Sequence, residues 1–147
     1  MDAAELIQRI TEVFGDLATP PVLVRHQCPE CESIQEAFEG RSWKDTPDEA
    51  VKDRHDSLPL LTPEAFVSLI PAYLRVAVRE PLRGDIAPSV LYSLQPSGDR
   101  RDCPFSTEQR DLLLDVAEWL AAQESWGTDM ARVRKYWGRQ PLEDDLA

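Results

Sequence analysis

His26-Gln27-Cys28-Pro29-Glu30-Cys31 sets two thiols and an imidazole within six residues, the one local cluster in the chain with metal-ligand or redox chemistry. A Cys-x-x-Cys turn holds two sulfurs about one zinc ion, which then needs two more ligands. His26, His55 and Cys103 are available for that role, and Cys103 precedes Pro104 just as Cys28 precedes Pro29. Four protein ligands would make the zinc structural, whereas three with a bound water would make a catalytic-type site. The same pair also reads as a redox dithiol, since Cys-Pro-x-Cys at a helix start resembles the active-site thiols of glutaredoxin-like proteins. That fold requires a βαβ unit, and only Val22-Leu23-Val24 is strand-like here, with no evident partner. A zinc-deaminase reading fails, because the His-x-Glu that must precede a Pro-Cys-x-x-Cys is missing. In a third reading the thiols are structural: Cys31 shares a helical stripe with Ile34 and Phe38, and free cysteine is among the most commonly buried residues.

Other chemistry-bearing residues are more scattered. Asp56 follows His55 and is placed to orient its ring. Asp48, Glu49, Asp53 and Asp56 crowd one short segment and form a candidate acidic face for a basic partner. Trp43, in a polar stretch, is either a core plug folded back on the chain or an exposed interface anchor. Arg132, Arg134, Lys135 and Arg139 make the C-terminal segment basic, a pattern that suits the end of a helix and pairing with carboxylates. Phosphate-cradling glycine loops, Gly-x-Ser-x-Gly elbows and His-Glu-x-x-His helices are absent from the sequence.

With 147 residues the chain is long enough to bury a core without metal or disulfide staples. Its net charge of −11 repels phosphate backbones and attracts basic surfaces, so a basic protein, such as a toxin, is the expected partner and direct nucleic-acid binding is not. No stretch approaches the roughly 18 to 20 apolar residues of a membrane span. Residues 1 to 20 lack the basic start and apolar run of a secretion signal, and three cysteines make an odd set for a disulfide frame. Both features lead us to expect a cytoplasmic protein with free or metal-bound thiols.

The elements that must position these residues are marked by caps. Asp2 caps a first helix, within 1–20, whose apolar side is Leu6, Ile7, Ile10, Val13, Phe14 and Leu17. Cys28 sits at an N-cap with Pro29 in the first helical position, and Gly40 stops that helix. Thr46-Pro47-Asp48-Glu49 reads as a capping box opening a short helix to about His55. Thr62-Pro63-Glu64 opens the strongest apolar helix, which Pro71 is expected to kink or split near Ile70. Asp85 is positioned to cap a helix through Val90, Leu91 and Leu94 that Pro96-Ser97-Gly98 closes. Ser106-Thr107-Glu108-Gln109 is a second capping box, Thr128 starts a last helix that Gly138 ends, and 140–147 reads as a flexible acidic tail.

The order Cys28-Pro-Glu-Cys31, Gly40-Arg-Ser-Trp43, Leu61-Thr-Pro-Glu-Ala-Phe66, Ile70-Pro-Ala-Tyr-Leu74 and Phe105-Ser-Thr-Glu-Gln109 resembles a small bacterial family of unknown function, over about residues 5 to 125. That resemblance implies a shared fold and supplies no activity. The expectation is a single all-α domain over 1–147, of six or seven short helices packed around Phe66, Ile70, Leu74, Leu113, Val116 and Leu120. Its expected role is non-catalytic protein binding of the immunity or antitoxin type through an acidic face. The alternatives are a zinc-binding protein or metal-dependent enzyme built on Cys28 and Cys31, and a thiol redox protein.

Overall fold

A computed structural model describes residues 1–96, 100 and 102–138. Within them the chain forms seven α-helices: α1 (Ala3–Phe14), α2 (Pro29–Phe38), α3 (Asp48–Lys52), α4 (Pro63–Arg79), α5 (Ile86–Ser93), α6 (Thr107–Gln123) and α7 (Met130–Tyr136). Two 3₁₀ turns, Trp43–Asp45 and Leu58–Leu60, flank α3. The described residues contain no strand, and the Val22-Leu23-Val24 stretch makes a single antiparallel bridge from Val24 to Leu61. The fold is all-α, as its caps and apolar spacing predict. The expected acidic tail, and Ser97 and Gly98 of the expected stop after α5, lie outside the described residues.

Local signals fix most helix starts. Asp2 accepts from Glu5 N–H at 2.9 Å, Thr62 Oγ1 from Ala65 N–H at 3.2 Å, and Cys28 Sγ from Cys31 N–H at 3.3 Å. Ser106 and Gln109 form both halves of a capping box at α6. Elsewhere tertiary contacts override the local pattern. Helix α1 ends at Phe14, short of Leu17, because Gly15 turns into positive φ and its N–H closes on Thr11 O. The box at Thr46 does not form: Thr46 is buried, its hydroxyl donates to Ser42 O, and Pro47 becomes the N-cap of α3. Helix α7 starts from Asp129, one residue after Thr128, which is taken up in the preceding turn.

Helix α4 is the axis of the core. Every residue from Ala65 to Leu74 is buried, and α1, α3, α5 and α6 all pack on it. The helix runs unbroken through Pro71, so the expected split at Ile70 is not observed. The ring is itself buried in the core, where packing on all sides offsets the one backbone bond it removes. Phe66, Ile70, Leu74, Leu113, Val116 and Leu120 are all interior, as expected. Phe105 lies edge-on to Phe14, Phe66 and Trp137, joining α1, α4 and the end of α7.

Two polar side chains drawn into this core, Arg100 and Tyr73, donate to backbone carbonyls. Arg100 is 1% exposed, stacks 4.5 Å from the Phe66 ring centroid, and donates to Leu58 O and to Leu61 O. It ties the second 3₁₀ turn to the loop before α6 by a fork that only guanidinium supplies. Arg100→Ala is expected to cost about 3 kcal/mol in urea unfolding, from two charge-assisted bonds and a cavity, and Arg100→Lys about 2 kcal/mol because the fork and stacking are lost. A Lys variant as stable as the parent would show that charge alone suffices.

Tyr73 Oη donates to Arg54 O at 2.8 Å. Burial pushes its phenol far above the ordinary 10.0, with Arg54 opposing and Asp56 adding to the effect. The unfolded chain releases this proton near pH 10 while the folded chain keeps it, so stability from Tyr73 is complete below that pH and lost as pH rises above it. Tyr73→Phe is expected to lose about 1 kcal/mol at neutral pH. It should also show a shallower fall in melting temperature above about pH 10 than the parent. Parallel curves would assign the alkaline unfolding to other groups.

Candidate functional site

Three short segments meet around a cleft of about 490 Å³. The first is the turn after α3, which carries His55 and Asp56. Its backbone is fixed from the core by the Tyr73 bond to Arg54 O, and Arg54 itself reaches Ser33 Oγ at 3.0 Å.

The second wall is one face of α5. Asp85, Pro88, Ser89, Tyr92 and Gln95 line the cleft at intervals of three and four residues, while Ile86, Ala87, Val90, Leu91 and Leu94 face the core. Asp85 occupies the N-cap position but its carboxylate makes no capping bond. Two causes are visible: its φ of −116° and ψ of 11° depart from the extended cap geometry, and Pro88 at the third helical position has no N–H to give. The carboxylate that the sequence assigns to a cap is thereby left to the cleft.

The third wall is the Ser125–Thr128 turn, closed by Thr128 N–H to Ser125 O at 2.8 Å. Trp126 (φ 44°) and Gly127 (φ 74°) are both left-handed, a mirror-image turn in which a bulky residue is uncommon. Strain of this kind costs on the order of 1–3 kcal/mol and gathers at functional sites. It sets Trp126 in the same lining as Tyr92, which is 55% exposed.

The lining contains two carboxylates, one imidazole and two large aromatic rings, and no Lys or Arg. Asp56 and Asp85 are exposed and have no ion-pair partner among the described residues. His55 Nδ1 and Thr128 Oγ1, both buried, have no hydrogen-bond partner among the described residues. Asp56 therefore does not orient the His55 ring through Nδ1. A smaller hollow of about 270 Å³ adjoins and shares His55 and Asp85, but its Lys52 and Glu80 are paired at 2.7 Å. A wider depression of about 550 Å³ beside Asp16 and Lys44 carries both signs of charge, paired at 2.8 Å.

The other expected site residues are distributed as follows. Asp48 is held by Arg75 at 3.2 Å and Arg79 at 2.9 Å, so that member of the expected acidic face is internally neutralised, whereas Glu49 stays largely exposed, 3.6 Å from a Lys52 that Glu80 holds more closely. Asp53 remains exposed. Trp43 is 1% exposed, donates to Gly15 O at 2.9 Å and lies under the Arg75 guanidinium, which makes it the core plug and removes the exposed-anchor reading. In the basic segment Arg134 pairs with Glu118, and Arg139 lies outside the described residues.

Of the five expected metal ligands the structure brings Cys28 and Cys31 together. The described residues contain no group of three or more His, Cys, Asp or Glu arranged for a metal. His26 is exposed, and His55 belongs to the cleft. Cys103 is buried beside Arg100; burial pushes its thiol up, against the pull of that guanidinium. Cys31 is fully buried with Ile34 and Phe38, and its thiol is pushed up first by donating to Cys28 Sγ and then by burial. Tyr92 and Trp126, absent from the sequence-derived set, were discoverable only through the 85-88-89-92-95 spacing of α5 and the Trp-Gly pair after α6. No family model, no curated protein and no solved structure matches this chain, so the cleft is read from its own chemistry.

Proposed function

We propose that this chain is a non-catalytic binding protein that seats an arginine side chain of a basic protein partner in the cleft between His55, α5 and Trp126. The observation that supports this most is the lining itself: two unpaired carboxylates and two aromatic rings with no cation among them. A guanidinium is the cation that uses all of these, donating in its plane to Asp56 and Asp85 and stacking its face on Tyr92 or Trp126. His55 Nδ1 and Thr128 Oγ1 add two polar atoms without protein partners. The net charge of −11 steers a basic surface toward the cleft before contact. A basic toxin neutralised by an immunity or antitoxin-like protein fits this chemistry. Three unpaired thiols accord with the cytoplasmic setting that the proposal assumes.

The test uses tag-free protein and short peptides that differ in one residue: arginine, lysine or uncharged citrulline. Arginine peptides are expected to quench or shift Trp fluorescence and to move the His55 and Tyr92 ring signals in NMR, lysine peptides to do so more weakly, and citrulline peptides not at all. Asp56→Asn with Asp85→Asn should weaken arginine binding by about tenfold or more. Glu32→Gln with Glu36→Gln, which removes the same charge from exposed positions on α2, should leave it nearly unchanged. Equal weakening by both pairs would reduce the effect to net charge and overturn the cleft.

A further inference from the structure

The cysteine pair has no part in the cleft, and its geometry points to a separate chemistry. Cys28 is the N-cap of the ten-residue helix α2 and is partly open to solvent, whereas Cys31, one turn on, is fully buried. Cys28 Sγ accepts from Cys31 N–H at 3.3 Å. The two cysteines thus sit one turn apart at a helix start, Cys28 partly open to solvent and Cys31 sealed in the core. Neither sulfur is disulfide-bonded, and Cys103 sits apart beside Arg100.

We infer that Cys28 and Cys31 form a thiol–disulfide exchange site in which Cys28 is the attacking sulfur and Cys31 the resolving one, with a low-molecular-weight disulfide as co-reactant. The Cys28 thiolate attacks one sulfur of the small disulfide; a Cys28–S–S–R bond forms, the original S–S bond breaks and one thiol leaves. Cys31 then gives up its proton and attacks Cys28 Sγ, forming the Cys28–Cys31 bond and releasing the second thiol. In total the protein dithiol loses two electrons and two protons, and the small disulfide is reduced to two thiols. The inward position of Cys31 sets the order of events. Of the pair only Cys28 is open to an incoming sulfur, and the backbone N–H of Cys31 already lies 3.3 Å from Cys28 Sγ. Pro29 fixes the first helical position between them, so closure asks for little backbone rearrangement.

The experiment equilibrates the tag-free chain with glutathione buffers from fully reduced to fully oxidised, quenches with an alkylating agent and reads tryptic peptides by mass spectrometry. Trypsin leaves Cys28 and Cys31 together in peptide 26–41 and Cys103 in peptide 102–110, so the three thiols report separately. Peptide 26–41 is expected to lose the mass of two hydrogens as the buffer becomes oxidising and to recover on reduction, while Cys103 stays alkylatable. Cys31→Ala should trap glutathione on Cys28. Cys28→Ser, which keeps an N-cap oxygen, should form neither disulfide nor adduct. Circular dichroism of each variant checks its fold, and the unmutated chain decides the question alone should Cys31→Ala fail to fold. Full alkylation of both thiols in oxidised glutathione would overturn the assignment, as would a Cys28 adduct in the unmutated chain that never closes onto Cys31.

Discussion

Residues 42–61 form only short helical turns, two 3₁₀ turns and the five-residue α3, and the fold depends on satisfying the remaining carbonyl groups of that stretch from elsewhere. No sheet is present among the described residues to do so, and a buried carbonyl without a donor is costly. Side-chain donors supply the need. From α4, Tyr73 reaches Arg54 O, and Arg75 reaches Trp43 O and Thr46 O. From the loop before α6, Arg100 reaches Leu58 O and Leu61 O, and Arg25 reaches Leu61 O from the other side. Each of these side chains joins an irregular turn to the buried helix or to its cover. The charge of Arg75, in a side chain only 11% exposed, is balanced by Asp48 at 3.2 Å. That requirement is what commits the half-buried Asp48 to an internal partner. A carboxylate that looks available in sequence is the counter-ion of a structural arginine.

The legible parts of the fold are those whose physics is local. A side-chain acceptor three residues ahead of an amide is a short-range device, so the caps at Asp2, Cys28, Thr62 and Ser106 follow from sequence alone. Core faces with clean helical spacing, as in α4 and α6, follow for the same reason. Thr46 has the same local pattern and behaves otherwise. Its environment is set by Trp43 folding back onto Gly15 and by Arg75, which lies twenty-nine residues away and takes its carbonyl. Pro71 is the converse case, a local breaker overruled by burial on every side.

The cleft was largely illegible because it is assembled from segments centred near residues 55, 90 and 127, which only the packing of α5 against α4 and the second 3₁₀ turn brings together. His55 and Asp56 stand out as residue types. Asp85 is hidden by resembling a cap, and recognising that Pro88 cannot accept the role requires pairing the two residues in register. Tyr92 lies on the cleft side of α5, an aromatic among Asp85, Pro88, Ser89 and Gln95. Trp126 is the least predictable, since nothing short-range favours a left-handed tryptophan.

That strain bears on how the proposed arginine site would discriminate. A guanidinium gains from stacked rings and paired carboxylates only if these are held in place before it arrives, because ordering them on binding would consume much of the gain. Each wall is anchored independently of any ligand. The Tyr73 bond holds the His55 turn, Trp137 Nε1 donates to Leu94 O at 2.6 Å at the end of α5, and the closed turn at Ser125 runs directly into the Asp129 cap of α7. Trp137 also sits in the Phe105 cluster, so the α5 wall is fastened to the same aromatic core that Arg100 stacks upon. A lysine ammonium could meet one carboxylate of such a cleft, but it has no plane to lay on the rings and no fork to span two acids. Rigid walls therefore favour arginine over lysine more than adaptable ones would, and the energy stored in a left-handed Trp126 is consistent with a surface fixed in one shape.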